Sequence, residues 1–113
     1  MLACPDGSVT TTNATPTDFG FWGLPDGSSC IVVFSCLARQ SNGAGRCGFR
    51  QSALLSKSSG ALTANSVGTQ ERLAATGAAA WVATLAIVSG ALVARVTGES
   101  GKTIDWNVYL EFF

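Results

Sequence analysis

The chain has 113 residues, seven basic and seven acidic side chains and no histidine, with 47% apolar and 12% charged residues. That length fits one domain with a small core, burying roughly 65% of the unfolded surface, and the composition excludes both a disordered chain and a strongly charged nucleic-acid binder. Without histidine, Ser-His-Asp and Cys-His catalysis and the commonest zinc and iron ligand are gone, and zero net charge leaves little to keep copies apart.

The N-terminus, Met1 to Pro5, has no basic segment and no apolar run of signal-peptide length, so synthesis in a cytoplasm is expected. Pro5-Asp6-Gly7-Ser8 recurs as Pro25-Asp26-Gly27-Ser28, two turns of the same chemistry. Between them lie a threonine-rich stretch, Thr10 to Thr17, and the cluster Phe19-Gly20-Phe21-Trp22-Gly23-Leu24, which has no lasting periodicity. Residues 1–28 are read as an extended N-terminal arm ahead of a β-sandwich domain, residues 29–113. The aromatic cluster has two readings. It caps the open end of the sandwich, or Phe19, Phe21, Trp22 and Leu24 anchor the chain in a partner subunit, since aromatic side chains dominate interface energetics.

Ser29 to Leu37 reads as a strand with Cys30, Val32, Phe34 and Cys36 on one face and Ile31, Val33, Ser35 and Leu37 on the other. Two apolar faces place it centrally in a sheet or against another subunit. A turn-rich segment, Gln40 to Arg46, leads to a further strand over Cys47 to Leu55. Cys30 and Cys36 stand about 20 Å apart along an extended strand and cannot bridge. Cys36 and Cys47 are candidates for a disulfide if the hairpin centres between Ser41 and Asn42, whereas an Asn42-Gly43 turn puts Cys47 opposite Ala38. Buried, reduced thiols are the alternative.

From Leu73 to Ala94 the chain carries no charge and is long enough to span a bilayer. Its alternation favours strands instead. Trp81, Ala83, Leu85 and Ile87 share a face, Ser89-Gly90 is a turn signal, and Leu92, Ala94 and Val96 resume beyond it. A two-residue loop at Ser89-Gly90 sets Ile87 against Leu92, Leu85 against Ala94 and Ala83 against Val96. In the last strand Ile104, Trp106, Val108, Leu110 and Phe112 alternate with Thr103, Asp105, Asn107, Tyr109 and Glu111, giving one buried and one solvated face. With the polar loop Gly98 to Lys102, residues 80–113 are expected to form a three-strand meander. The fold class is therefore all-β, a small antiparallel β-sandwich or barrel, with Trp81, Leu85, Ile104, Trp106, Val108 and Leu110 in the core.

Nothing in this pattern calls for catalysis. Cys4, Cys30, Cys36 and Cys47 contain no C-x-x-C pair, the two lysines, Lys57 and Lys102, sit among turn residues, and no phosphate-binding glycine loop appears. No enzyme activity, cofactor or metal site is expected.

The residues do resemble a known group. Thr10 to Thr17 looks like the T-T-D-A-T-P-T opening of a set of tailed-bacteriophage virion proteins, in which a W-x-A-x-L strand precedes a strand ending V-T-G and a closing T-I-x-W. Here these positions are Trp81, Ala83 and Leu85, then Val96-Thr97-Gly98, then Thr103-Ile104 and Trp106. The resemblance covers about a third of the chain and implies a virion structural β-module of the capsid cement (decoration) or tail-fibre type. With neither coiled-coil heptads nor a collagen-like shaft to carry a fibre, it implies a cement protein on the capsid exterior, bridging major capsid protein subunits. Many symmetric contacts would act together there. A homotrimer, synthesised in the bacterial host cytoplasm and binding neither nucleic acid nor membrane, is expected.

The runner-up is a tail-fibre or baseplate component with a receptor-binding role, in which loops Gln40–Arg46 and Gly98–Lys102 face a glycan and Trp106 with Asp105 is the nearest aromatic–carboxylate pair. The third class is a small membrane protein through residues 73–94.

Overall fold

The computed structural model describes residues 5–74, 77–78 and 80–113; Cys4 lies outside the described residues. Every regular element in them is a strand: β1 (Gly7–Thr11), β2 (Thr17–Trp22), β3 (Ser29–Gln40), β4 (Arg46–Ser58), β5 (Ala61–Val67), β6 (Glu71–Ala74), β7 (Val82–Val88), β8 (Ala91–Thr97) and β9 (Ile104–Phe112). They form two antiparallel sheets packed as a sandwich. The larger has the order β1-β9-β3-β4-β5, with β6 also on β4, and the smaller has the order β2-β8-β7. β5 pairs with the second half of β4 and β6 with its first half, so the two short strands share one long edge.

The β7–β8 hairpin has the register that its spacing dictates, Ala83 opposite Val96, Leu85 opposite Ala94 and Ile87 opposite Leu92. Ser89 (φ 50°) and Gly90 (φ 76°) are both left-handed, which matches a two-residue turn to the twist of its strands. In the β3–β4 hairpin the turn centres on Asn42-Gly43, with Gly43 at φ 79° and the Asn42 side chain accepting the Ala44 N–H. Cys47 therefore stands opposite Ala38, and Cys36 opposite Phe49. The Cys36–Cys47 bridge is not made: the two residues are diagonal neighbours on the inner face, beyond the short Cβ separation of a disulfide. Cys30, Cys36 and Cys47 are all free thiols.

Two expectations are corrected. The described part of residues 1–28 is not a detached arm, because β1 pairs with β9 and β2 with β8, filling one open edge of each sheet. Residues 80–113 are not a meander. β2 occupies the far edge of β8, so the Gly98–Lys102 loop carries the chain to the other sheet, where β9 lies between β1 and β3. The uncharged stretch 73–94 is strand and turn where described, and no helix among the described residues is long and apolar enough to cross a membrane.

The core has two lobes. One gathers Phe34, Phe49, Trp81, Trp106, Ile104 and Val108, with the Trp81 and Trp106 rings 6.1 Å apart and Phe49 stacked 6.3 Å from Trp106. The other gathers Leu24, Val32, Leu55, Leu62 and Leu92. Trp81, Ile104, Trp106 and Val108 are fully buried as expected, while Leu85 and Leu110 are half-buried and pack against both lobes.

Candidate docking site

The aromatic cluster owes its irregular spacing to a bulge. In β2, Phe19 stands opposite Ala94 and Trp22 opposite Leu92, so one extra residue is accommodated between them. Gly20 supplies the left-handed turn of the backbone at φ 68°. On a regular strand residues three apart point to opposite faces; the bulge turns both Phe19 and Trp22 inward and leaves Phe21 outside, 69% exposed.

Beyond the bulge, Trp22-Gly23-Leu24-Pro25 crosses the end of the sandwich to reach β3. This crossing is held by its turn. The Gly27 N–H donates to the Lys57 carbonyl (2.7 Å), the Lys57 N–H to the Ser28 carbonyl (3.0 Å), and the Gly60 N–H to Asp26 Oδ1 (2.9 Å). The earlier copy is not a turn, since Gly7 and Ser8 open β1, but its aspartate is used as well, Asp6 Oδ2 accepting the Leu110 N–H at 2.7 Å. Asp26 thus fastens its turn to the β4–β5 turn, and Asp6, directly ahead of β1, accepts from β9.

The result is an open groove of about 430 Å³ lined chiefly by Phe21, Trp22, Leu24, Pro25, Cys30 and Phe112. Its one side-chain hydroxyl, that of Ser28, is turned to the Pro25 carbonyl. Among the described residues no carboxylate or cation lines it, and burial pushes the Cys30 thiol up. Such a lining can bind by apolar contact.

Of the four proposed anchors, Phe19 and Leu24 belong to this chain's own core, Trp22 is shared between both core lobes and the groove, and Phe21 is presented outward. Phe112 joins them from β9 and was read from sequence only as the last residue of a core-patterned face. Its exposure of 45% goes with its place at the strand end, beyond the last β1 pair at Val108.

The two loops proposed to face a glycan lie at the other end of the sandwich, where the Ser41 N–H donates to the carbonyl of Thr103, just past the second loop, at 2.9 Å. The aromatics there are not on the surface. Trp106 is buried and donates its indole N–H to Thr11 Oγ1, while Asp105 points to the opposite, solvated face. Trp81 is buried as well and donates to Glu99 Oε1 at 3.2 Å. Among the described residues no group of three or more His, Cys, Asp or Glu side chains is placed to hold a metal ion.

No protein-family model matches the chain, and no curated protein sequence matches it. Among solved structures, the tailspike protein of Acinetobacter baumannii phage AM24 is similar, with a TM-score of 0.50 and 10% sequence identity over 92% of this chain. The match covers 26% of that protein, so the chain spans about a quarter of its length. At this identity the likeness is one of fold.

Proposed function

We propose that the chain is a structural component of a tailed-phage virion that docks on a larger subunit through the groove at the β2–β3 end. The observation that carries this reading is Phe21, standing exposed with Phe112 over an apolar groove that no carboxylate or cation among the described residues lines. A buried aromatic anchor in a complementary pocket is how a small interface obtains most of its energy. The fold likeness to part of a phage tailspike, and the phage-type motifs of the sequence, support the virion setting.

On the head exterior the protein is a cement protein whose partner is the major capsid protein. Each copy bridges neighbouring subunits and adds buried area, and many symmetric copies together resist the pressure of packaged DNA. A second reading, a tail-fibre or baseplate component, is favoured by the tailspike likeness.

The test is the number of copies per purified particle relative to the major capsid protein. A count on the order of hundreds, in simple ratio to the capsid subunit, supports the cement reading, and roughly tens or fewer supports the tail reading. Absence from particles overturns both. A Phe21→Ser/Phe112→Ser variant tests the groove: both residues are exposed, so the chain is expected to fold while its incorporation into particles falls.

A further inference from the structure

The outer face of the larger sheet carries an ordered charge pattern that the groove does not use. Reading across β9, β3 and β4, the rows are Asp105–Arg39–Arg46, Asn107–Leu37–Gly48, Tyr109–Ser35–Arg50 and Glu111–Val33–Ser52. The charges on β9 are acidic and those on β4 basic, and between them β3 presents exposed Ile31 and Leu37. Among the described residues none of Asp105, Glu111, Arg46 and Arg50 has a salt-bridge partner within the chain. Asp105 accepts one hydrogen bond, from Thr10 Oγ1, and Arg50 donates one to Ser35 Oγ.

We propose that this face packs against the same face of a second copy, about a two-fold axis running along β3. The charge layout selects the axis. A rotation about the strand direction carries β9 over β4 of the other copy and β4 over its β9. Asp105 then faces Arg46, and Glu111 lies one row from Arg50, with every contact made twice. An axis across the strands would set β9 on β9 and β4 on β4, like charge against like. The β3 spines meet on the axis, so Leu37 and Ile31 of each copy are covered together, as in sheets stacked about 10 Å apart.

Two charges need placing. Arg39 lies on the axis column and meets its own copy there, with Asp105 of each chain in the adjacent position, so the facing guanidinium groups are flanked by two carboxylates. Glu71 on β6 flanks Arg50 at the rim. The zero net charge of the chain removes long-range repulsion between copies. This pairing is independent of the virion reading, and it is two-fold where the sequence resemblance implied a trimer.

Sedimentation equilibrium on the full chain in low salt tests it. The wild type is expected to be a dimer that weakens as salt is raised. Arg46→Glu/Arg50→Glu puts acid on both columns, and Asp105→Arg/Glu111→Arg puts base on both; each is expected to weaken self-association by about tenfold or more. An equal mixture of the two variants restores both contacts and is expected to recover the dimer. Leu37→Arg is expected to be monomeric, and circular dichroism identifies any variant that fails to fold. A wild-type monomer at the highest concentration the protein tolerates, a trimer mass, charge reversals without effect, or a mixture of folded variants that stays monomeric would each overturn the pairing.

Discussion

Trp106 on β9 donates its indole N–H to Thr11 Oγ1 on β1 at 2.9 Å, with Trp106 fully buried and Thr11 only 5% exposed. This bond fastens the first strand to the last from inside the core. The space around it is tight: a Cβ at Gly98 would stand 2.6 Å from Thr11 Oγ1, which gives a packing reason for the glycine that ends the Val96-Thr97-Gly98 segment.

Thr11→Val keeps the shape and removes the acceptor, leaving a buried N–H unpaired. The expected loss is about 1–3 kcal/mol in urea unfolding, with Thr11→Ser much closer to wild type. A Thr11→Val protein as stable as wild type would mean that the indole finds another partner.

Gly20 controls the groove. At φ 68° a side chain is strained there, and its Cβ would lie 2.3 Å from the Trp22 ring. Gly20→Ala is therefore expected to push Trp22 from between the two core lobes, lowering stability by about 1–3 kcal/mol and changing tryptophan fluorescence. Gly23→Ala, with nothing within 4 Å and no left-handed backbone, is the control, expected to stay within about 0.5 kcal/mol of wild type.

These residues also mark how far the structure was legible in the sequence. The Ser89-Gly90 turn admits one register, so the pairs of β7 and β8 follow residue by residue. The alternation of β9 similarly identifies Trp106 and Val108 as inward. Alternation says which face of a strand is buried but not which sheet the strand joins, since the inner faces of both sheets share one core. That is why the crossing at Gly98–Lys102 and the placing of β1 and β2 in opposite sheets went unread. The bulge at Gly20 hid the common face of Phe19 and Trp22, and the nearness of Phe112 to Phe21 depends on a contact remote in sequence.

Asp18 and Arg95 join β2 to β8 with two bonds, Nε to Oδ1 at 2.6 Å and Nη2 to Oδ2 at 3.0 Å. The guanidinium hydrogen bond holds the Asp18 carboxyl below its ordinary value of 3.8. A carboxylate depressed in the folded state contributes stability that is present above that ordinary value and lost as pH falls through the folded one. Asp18→Asn is thus expected to be less stable than wild type at neutral pH and equal to it in strong acid. Melting temperatures of the two proteins across that range measure the convergence. The difference is expected to be small and to shrink in high salt, because both side chains are partly exposed.

The three described thiols differ in what surrounds them. Burial, aided by the neighbouring Cys47, pushes Cys36 up to about 12, and burial raises Cys47 as well, against the lowering pull of Arg72. Cys30 is also raised by burial, yet it lines the open groove. A thiolate must form and be reached before it reacts. Alkylation of the native protein at mildly alkaline pH, with sites assigned by peptide mass, is therefore expected to modify Cys30 first and to leave Cys36 and Cys47 until the chain unfolds. Mild oxidation is expected to leave Cys36 and Cys47 unbridged, since Cys47 faces Ala38 across the hairpin. Labelling of Cys36 as fast as Cys30 would mean that the β3–β4 core opens under native conditions. A native Cys36–Cys47 disulfide would require the hairpin to slip to the Ser41-Asn42 turn, which would also carry Phe49 out of its place against Trp106.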